Sequence, residues 1–322
     1  MFALPAVAAC SSIVGFGDLQ KVTDEDEDED AGPSTPGRTD AGSDSGGSKT
    51  DGPPVASKCD LSKPFSPPIA LPGPVNSASF EVAPSLTNNE LVMIFQRTVG
   101  PEGGSIMLAT RTSTEAPFGE PVELTALAQG LDGVQQPTMT ADGLLMFFAG
   151  ITGPNSKIFT ASRVSPAGDF ANRRSADEVN SPNASVSFPG LTPDGAELWF
   201  SSAIDLGPRH FVRSIRDNLG NYGAPAPVND LTSAKSEAGI AFSADGLTVY
   251  FGSERDGGKG DVDIWTAQRP ALDAAFGPAT PVAELNTASG EYPGWLSADG
   301  CRLYFGTESQ GNGDILVASR TP

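Results

Sequence analysis

The chain has 322 residues and a formal charge of −20, from 20 Lys and Arg against 40 Asp and Glu residues. Its basic residues are scattered, which excludes the clustered positive surface that nucleic acids require and disfavours binding to an anionic membrane surface. The 37 Gly and 28 Pro residues, together with only 7% aromatic residues, are typical of many short strands and turns. No stretch shows a clean helical apolar period, so we expect an all-β protein that does not bind nucleic acid.

The N-terminal residues 1–9 are apolar and end in "VAAC", with two alanines before Cys10. This ending resembles a bacterial lipobox, in which a signal peptide is cleaved before a cysteine that carries the lipid. The stretch is too short to span a bilayer and lacks a positive start, so an ordinary N-terminus with a chance cysteine is the alternative. The resemblance implies a signal peptide remnant at 1–9, lipidation of Cys10, and export to the outer membrane, on its periplasmic or surface face, by the lipid anchor alone.

Residues 10–57 are rich in Gly, Ser, Pro and Asp, and contain the acidic run from Asp24 to Asp30. This composition buries too little apolar surface to fold, so we expect a disordered acidic linker over 10–57 and a folded domain over 58–322. With Cys10 lipidated, Cys59 and Cys301 are the remaining thiols of an exported chain. They either form a disulfide or stay as two free, partly buried thiols.

One phrase recurs five times at a nearly constant spacing. It reads "PTMTADGLLMFFAG" from Pro137, "PGLTPDGAELWFSS" from Pro189, "IAFSADGLTVYFGS" from Ile240 and "GWLSADGCRLYFGT" from Gly294, with a weaker copy, "PSLTNNELVMIFQR", from Pro84. The turn Asp falls at 142, 194, 245 and 299, which gives spacings of 52, 51 and 54 residues. A period of this length is typical of β-propeller blades.

Each copy predicts four antiparallel strands. Apolar residues lead into Ser/Thr-x-Asp-Gly, which favours a tight hairpin turn before the second strand. A third strand ends alike in several copies, as in "IFTASR" and "DIWTAQR", and a fourth follows a Phe-Gly or Tyr-Gly turn, as in "FGEPVEL" and "YGAPAPV". Four strands per period make one blade.

The two ends of the chain complete the same ring. The fifth copy stops at Pro322 after its third strand, whereas "PFSPPIALPGPVNSAS" from Pro64 matches the fourth-strand phrase. We therefore predict a five-bladed β-propeller of four-stranded blades, closed by an N-terminal strand that joins the last C-terminal blade and removes the exposed edges. Closure would bring Cys59 to the same face as Cys301.

These phrases resemble the WD40-like β-propeller repeat family, the TolB-type propeller, over roughly Phe65 to Arg320. The copy "SADGLTVYFGSERDGGKGDVDIWTAQR" fits the family pattern best. The resemblance implies an exported protein that binds partners or components of the cell envelope. It says little about a specific task, since one propeller scaffold serves many functions.

Three acids, Glu81, Glu237 and Glu291, occupy equivalent positions before the turn strand, where Val134 and Val186 stand in the other two blades. We expect them near the axis as candidate ligand-binding residues. Three carboxylates there could perform acid/base chemistry on a glycan, as in five-bladed glycosidases. The favoured alternative is structural, with the carboxylates accepting hydrogen bonds from neighbouring backbone amides.

Other polar features are weaker. The single histidine, His210, is expected in an exposed loop and supports neither a catalytic triad nor a zinc site. The Asp-Gly-rich loops 256–263 and 310–314 are interpreted as turns, with an occasional ion as the alternative. Arg97, Arg209 and Arg255 could meet an anionic ligand or simply confer solubility. We expect no metal, no cofactor and no catalytic residue.

The sequence therefore predicts a monomeric, non-catalytic cell-envelope lipoprotein whose propeller binds an envelope protein or a glycan. The alternative is a five-bladed glycan-active hydrolase that uses the axial carboxylates. A purely structural lipoprotein is the third hypothesis, and it predicts an axial face without a concave, partly apolar site.

Overall fold

The computed structural model describes residues 58–98, 103–205, 207–308 and 313–322. The predicted signal peptide remnant, Cys10 and the linker lie outside these residues. The described chain forms five antiparallel four-stranded sheets, and one short 3-10 turn spans Thr125–Ala128. This arrangement confirms the all-β, five-bladed propeller. None of the helical segments in the described residues has the length and apolar character of a membrane span.

Each sheet is one blade, ordered from the axis outward. Blade 1 contains β2 (Phe80–Leu86), β3 (Val92–Thr98), β4 (Ser105–Thr110) and β5 (Val122–Glu123). Blade 2 contains β6 (Gly133–Met139), β7 (Leu145–Thr152), β8 (Asn155–Ser162) and β9 (Ala171–Ser175). Blade 3 contains β10 (Ala184–Leu191), β11 (Glu197–Ile204), β12 (His210–Ile215) and β13 (Ala226–Pro227). Blade 4 contains β14 (Glu237–Phe242), β15 (Thr248–Ser253), β16 (Asp263–Gln268) and β17 (Thr280–Pro281). Blade 5 contains β18 (Gly290–Leu296), β19 (Arg302–Glu308), β20 (Ile315–Ser319) and, as its outer strand, β1 (Ile69–Ala70).

The N-terminal strand closes the ring, as the sequence predicts. Ile69 of β1 pairs with Val317 of β20 in antiparallel register. Upstream of β1, the Ser66 amide donates to the Ser319 carbonyl over 2.8 Å. The first and last parts of the fold are therefore joined by main-chain hydrogen bonds, which satisfy an edge that would otherwise be exposed.

The turn between the first and second strands of each blade rests on one side-chain motif. A Ser or Thr hydroxyl donates to the Asp two residues later, for example Thr140 to Asp142 over 2.5 Å and Ser243 to Asp245 over 2.6 Å. In blade 1, Asn89 accepts the same bond from Thr87 over 2.8 Å, so this blade keeps the turn without an Asp-Gly pair. The side-chain oxygen fixes the hairpin where the repeat phrase predicts it.

An arginine after the third strand joins this turn to the outer strand. In blade 2 the Arg163 Nε donates to the Gly143 carbonyl over 2.6 Å, and the guanidinium lies 4.5 Å from the Phe170 ring centroid. This contact explains why an Arg and a Phe-Gly turn recur together, since the cation stacks on the ring and caps the hairpin. In blade 3 the Tyr222 hydroxyl donates to the Gly195 carbonyl over 2.7 Å. This bond to the turn glycine replaces the one that Arg163 makes in blade 2.

Blade 5 builds the same contact from both ends of the chain. Arg320 donates to the Gly300 carbonyl over 2.7 Å, and its guanidinium lies 3.8 Å from the centroid of Phe65. Phe65 is buried and makes an edge-to-face contact with Tyr250 of blade 4. The phrase from Pro64 thus supplies both the outer strand and the aromatic ring that the other blades take from their own repeats.

A disulfide joins Cys59 to Cys301, with the two Cα atoms 5.7 Å apart and a sequence separation of 242. Beside it, the Asp60 amide donates to the Thr321 carbonyl over 3.0 Å. The disulfide lies at the turn of blade 5, on the face that carries the first-to-second strand turns, which we call the lower face. The opposite face, where the first strands begin, is the upper face.

Blades 1 and 5 are also joined through a buried carboxylate. Glu90 accepts hydrogen bonds from Arg302 Nε over 2.9 Å, from the Tyr304 hydroxyl over 2.9 Å and from Arg111 Nη2 over 3.2 Å. Burial and the neighbouring Glu90 raise the pKa of Tyr304 to about 12, so the phenol stays protonated and donates. Two cations and a phenol satisfy this carboxylate, which makes the network a second closure between the first and last blades.

Candidate functional site

Glu81, Glu237 and Glu291 lie at the upper ends of β2, β14 and β18, as their equivalent sequence positions predict. All three are fully buried. The carboxylate of each accepts a backbone N–H from the preceding loop: Ser77 to Glu81 over 3.2 Å, Ser233 to Glu237 over 3.0 Å, and Thr287 to Glu291 over 3.2 Å. Each carboxyl therefore ties down the loop that enters its own blade.

Two of these acids also have basic partners. Arg97 Nε donates to Glu81 over 2.7 Å, and Arg255 Nη2 lies 3.4 Å from Glu237. His210 Nδ1 lies 2.9 Å from the second oxygen of Glu237. His210 is thus the first residue of β12, held by a buried carboxylate of the next blade, rather than the exposed loop residue that the sequence suggests. The pairing links blades 3 and 4.

Glu291 lacks such a basic partner in the described part of the chain. Burial raises the pKa of its carboxyl, the hydrogen bonds from Thr287 oppose that rise, and the nearby Asp263 carboxylate adds to it. The Asp263 oxygens in turn accept the Lys259 and Gly260 amides over 2.9 Å and 3.2 Å. These bonds close the loop 256–263 on itself, consistent with a turn.

The axis between the five blades is nearly filled. The first strands of four blades carry a bulge with a left-handed residue, at Ala83, Gln136, Phe188 and Gly239. A Cβ on Gly239 would lie 2.6 Å from the Pro293 carbonyl oxygen, so only glycine fits there. The space left between the bulges is about 10 Å³. No open channel therefore runs through the described ring.

At the lower face the axis opens into a small cavity with both polar and apolar lining residues. Its volume is about 60 Å³, and its lining includes Leu191, Phe242, Trp295 and Leu296. This is well below the roughly 300–1,000 Å³ of ordinary small-molecule sites. This cavity alone is too small for a sugar or a cofactor. A neighbouring pocket that shares Asn88 and Ala141 with it has a volume of about 370 Å³.

At the upper face, two aromatic rings meet across the axis. Phe188 of blade 3 and Tyr292 of blade 5 stack with their ring planes 1° apart and their centroids 5.5 Å apart. Both side chains are partly exposed. We call the exposed surface around this pair the upper mouth, and the pair itself its aromatic floor. Sequence reasoning missed this pair, although the aromatic residues stand where other blades carry smaller axial residues such as Ala83 and Ala238.

Three exposed carboxylates surround one side of the upper mouth. The Tyr292 hydroxyl donates to Glu308 over 3.1 Å. Burial raises the pKa of Tyr292, and Glu308, Glu254 and Asp261 raise it further through their charges. Glu254 and Glu308 are equivalent residues at the upper ends of the second strands, β15 in blade 4 and β19 in blade 5. The mouth therefore combines an aromatic floor with hydrogen-bond acceptors on the blade 4 and 5 side.

The predicted arginines occupy different environments. Arg97 and Arg255 are held by Glu81 and Glu237, as described above. Arg209 is half-buried and donates from Nη1 to the Ser185 carbonyl over 3.1 Å. Within the described residues, no group of three or more His, Cys, Asp or Glu side chains is arranged to hold a metal ion.

No family model matches the chain, and no curated protein matches it. Solved structures are similar in fold. A family 117 glycoside hydrolase, Zg3597 from Zobellia galactanivorans, is 14% identical over 80% of this chain and 90% of its own, with a TM-score of 0.53. A putative glycosidase from Bacteroides thetaiotaomicron is 11% identical over 85% and 96%, also at 0.53. A putative TolB from Agrobacterium tumefaciens is 16% identical over 72% of each chain, at 0.46.

At these identities the likeness concerns the fold alone. The five four-stranded blades confirm the five-bladed β-propeller that the repeats predict. The expectation that the protein is not an enzyme is corrected, because the solved structures with this fold include glycoside hydrolases. A five-bladed ring of this kind therefore gives no ground for excluding catalysis.

Proposed function

We propose that this protein is exported, anchored through Cys10, and binds carbohydrate at the upper mouth. The observation that carries the proposal is the Phe188–Tyr292 pair, which is partly exposed near the axis, where the first strands of the blades converge. Sugar rings present apolar C–H faces that stack on aromatic rings, and their hydroxyls donate to carboxylates such as Glu308 and Glu254. An open surface of this kind suits a glycan chain better than a small enclosed ligand.

The position of the disulfide supports an arrangement in which the upper mouth faces away from the membrane. The described chain begins at Lys58, next to the Cys59–Cys301 bond on the lower face. A tether that leads from Cys10 to this point would leave the upper mouth facing away from the membrane. If the linker predicted over residues 10–57 behaves as a random coil, its root-mean-square reach would be roughly 35–40 Å, which would let the mouth approach a glycan beyond the lipid surface.

Glycan hydrolysis is the second candidate. Glycosidases need two carboxylates flanking the bond, and the exposed Glu254, Asp261 and Glu308 offer such groups beside Tyr292. The buried Glu81, Glu237 and Glu291 are less suited, because hydrogen bonds to the loop amides occupy their carboxyls. Release of reducing ends from bound oligosaccharides, abolished in E254Q or E308Q, would establish the activity.

The test of the binding proposal is a glycan array with the full-length chain, followed by titration of the best ligand. Y292A should weaken binding by about tenfold or more, because it removes the aromatic face that the sugar would bury. Y292F keeps the ring and should bind nearly as well as the wild type, while Y222F alters a tyrosine of the lower face and should bind normally. Equal binding by Y292A and the wild type would refute the site.

A further inference from the structure

The upper mouth has a second, basic side. Arg209 precedes β12 in blade 3, and its guanidinium reaches back over the start of β10 to the Ser185 carbonyl. Beside that carbonyl, the Ser156 hydroxyl donates to the Val186 carbonyl and lies 3.0 Å from the Ser185 hydroxyl, so both hydroxyls are hydrogen-bonded within the fold. Phe188 follows three residues along β10, roughly 10 Å away at the rise of a strand. The Arg209 guanidinium and the aromatic floor therefore belong to one surface.

Arg209 is unusual among the arginines of this face. Arg97 and Arg255 each pair with a buried glutamate. In the described ranges of the chain, no carboxylate lies within ion-pair distance of Arg209, even though acids outnumber basic residues by 40 to 20. Burial lowers the pKa of its guanidinium, yet the group stays charged because an arginine pKa lies far above neutrality. A half-buried guanidinium whose other N–H groups have no carboxylate partner can bind an anion from outside the chain.

We infer that the Arg209 guanidinium forms a subsite for the carboxylate of an acidic sugar. This inference rests on the proposed glycan binding at the upper mouth. The planar guanidinium matches a carboxylate with two parallel N–H donors, and the neighbouring neutral sugar would stack on the Phe188–Tyr292 floor. The ligand class is a glycan with isolated uronic acid units, because the net charge of −20 would repel a chain charged at every unit.

The experiment compares two probes on the full-length chain by titration calorimetry: xylotetraose, and xylotetraose carrying one glucuronic acid side unit. The wild type should bind the uronate probe roughly tenfold more tightly. R209Q should lose that preference while keeping its affinity for the neutral probe. R209K keeps the charge without the forked geometry and should retain part of the preference. R174Q is the matched control, because Arg174 is an exposed arginine of β9 that pairs with Glu178, and it should keep the full preference.

The outcomes separate the two proposals. Equal binding of both probes by the wild type, or an unchanged preference in a folded R209Q protein, would overturn the subsite and leave glycan binding intact. Failure of the wild type to bind the uronate probe, while it binds another glycan on the array, would overturn the subsite alone. Failure to bind any glycan on the array would overturn both proposals. A thermal melt of each variant establishes that the compared proteins are folded.

Discussion

Removing the Cys59–Cys301 disulfide should destabilise the propeller strongly. The bond closes a loop across 242 residues, nearly the whole folded domain. In the loop-entropy model, opening a loop of this length raises the entropy of the unfolded chain enough to cost roughly 5 kcal/mol, at the upper end of measured effects. The change to make is the double variant C59S/C301S, which avoids leaving a single reactive thiol.

The assay is urea unfolding followed by tryptophan fluorescence, with the oxidised wild type, the reduced wild type and C59S/C301S compared. We expect both proteins without the bond to lose at least about 2 kcal/mol of unfolding free energy and to show a steeper urea dependence, because their unfolded chains are more expanded. A loss below about 1 kcal/mol in C59S/C301S would refute the reasoning. It would mean that the hydrogen bonds of β1 with β20 suffice to hold the ring.

Three further predictions concern contacts within and between blades. E90Q should lower the unfolding free energy by about 3 kcal/mol, because it leaves Arg302 without its buried carboxylate. A negligible loss in urea unfolding would contradict the closing role of this network. Y222F should cost about 1 kcal/mol by removing the donor to the Gly195 carbonyl, and an unchanged melting temperature would contradict that role. The pKa of Glu291 is raised in the folded protein, so folding favours its protonated form. The stabilisation from this protonated carboxyl is fully present below the unfolded pKa and is lost as pH rises through the folded pKa. The stability of the wild type relative to E291Q should therefore fall as pH rises from about 4 towards neutrality, and a flat difference would refute the burial of an ionisable group there.

The blades could be predicted because each one is specified locally. The Ser/Thr-x-Asp-Gly phrase fixes a hairpin through a hydroxyl and a carboxylate two residues apart, as in Thr192 and Asp194. The fourth strand of the last blade was also predictable, because the phrase at Pro64 repeats the local pattern of the other blades. The interior positions of Trp199 and Tyr304 follow from their place in the same strands, and both are buried.

The upper mouth could not be predicted in the same way. Phe188 and Tyr292 belong to different blades and meet only because five first strands converge on one axis. The pairing of His210 with Glu237 likewise joins neighbouring blades, and no local pattern specifies it. The repeat gives the three glutamates equivalent positions, but whether a carboxylate faces solvent or a loop amide depends on the conformation of the entering loop.

Amide hydrogen exchange of the full-length chain, with and without the tightest-binding glycan from the array, tests the central claim most directly. Glycan bound at the upper mouth should slow exchange in peptides that contain Phe188 and Tyr292, with little change at the lower turns around Asp194 and Asp245. Protection confined to the lower turns, or no protection at a saturating glycan concentration, would contradict a carbohydrate site on the upper face.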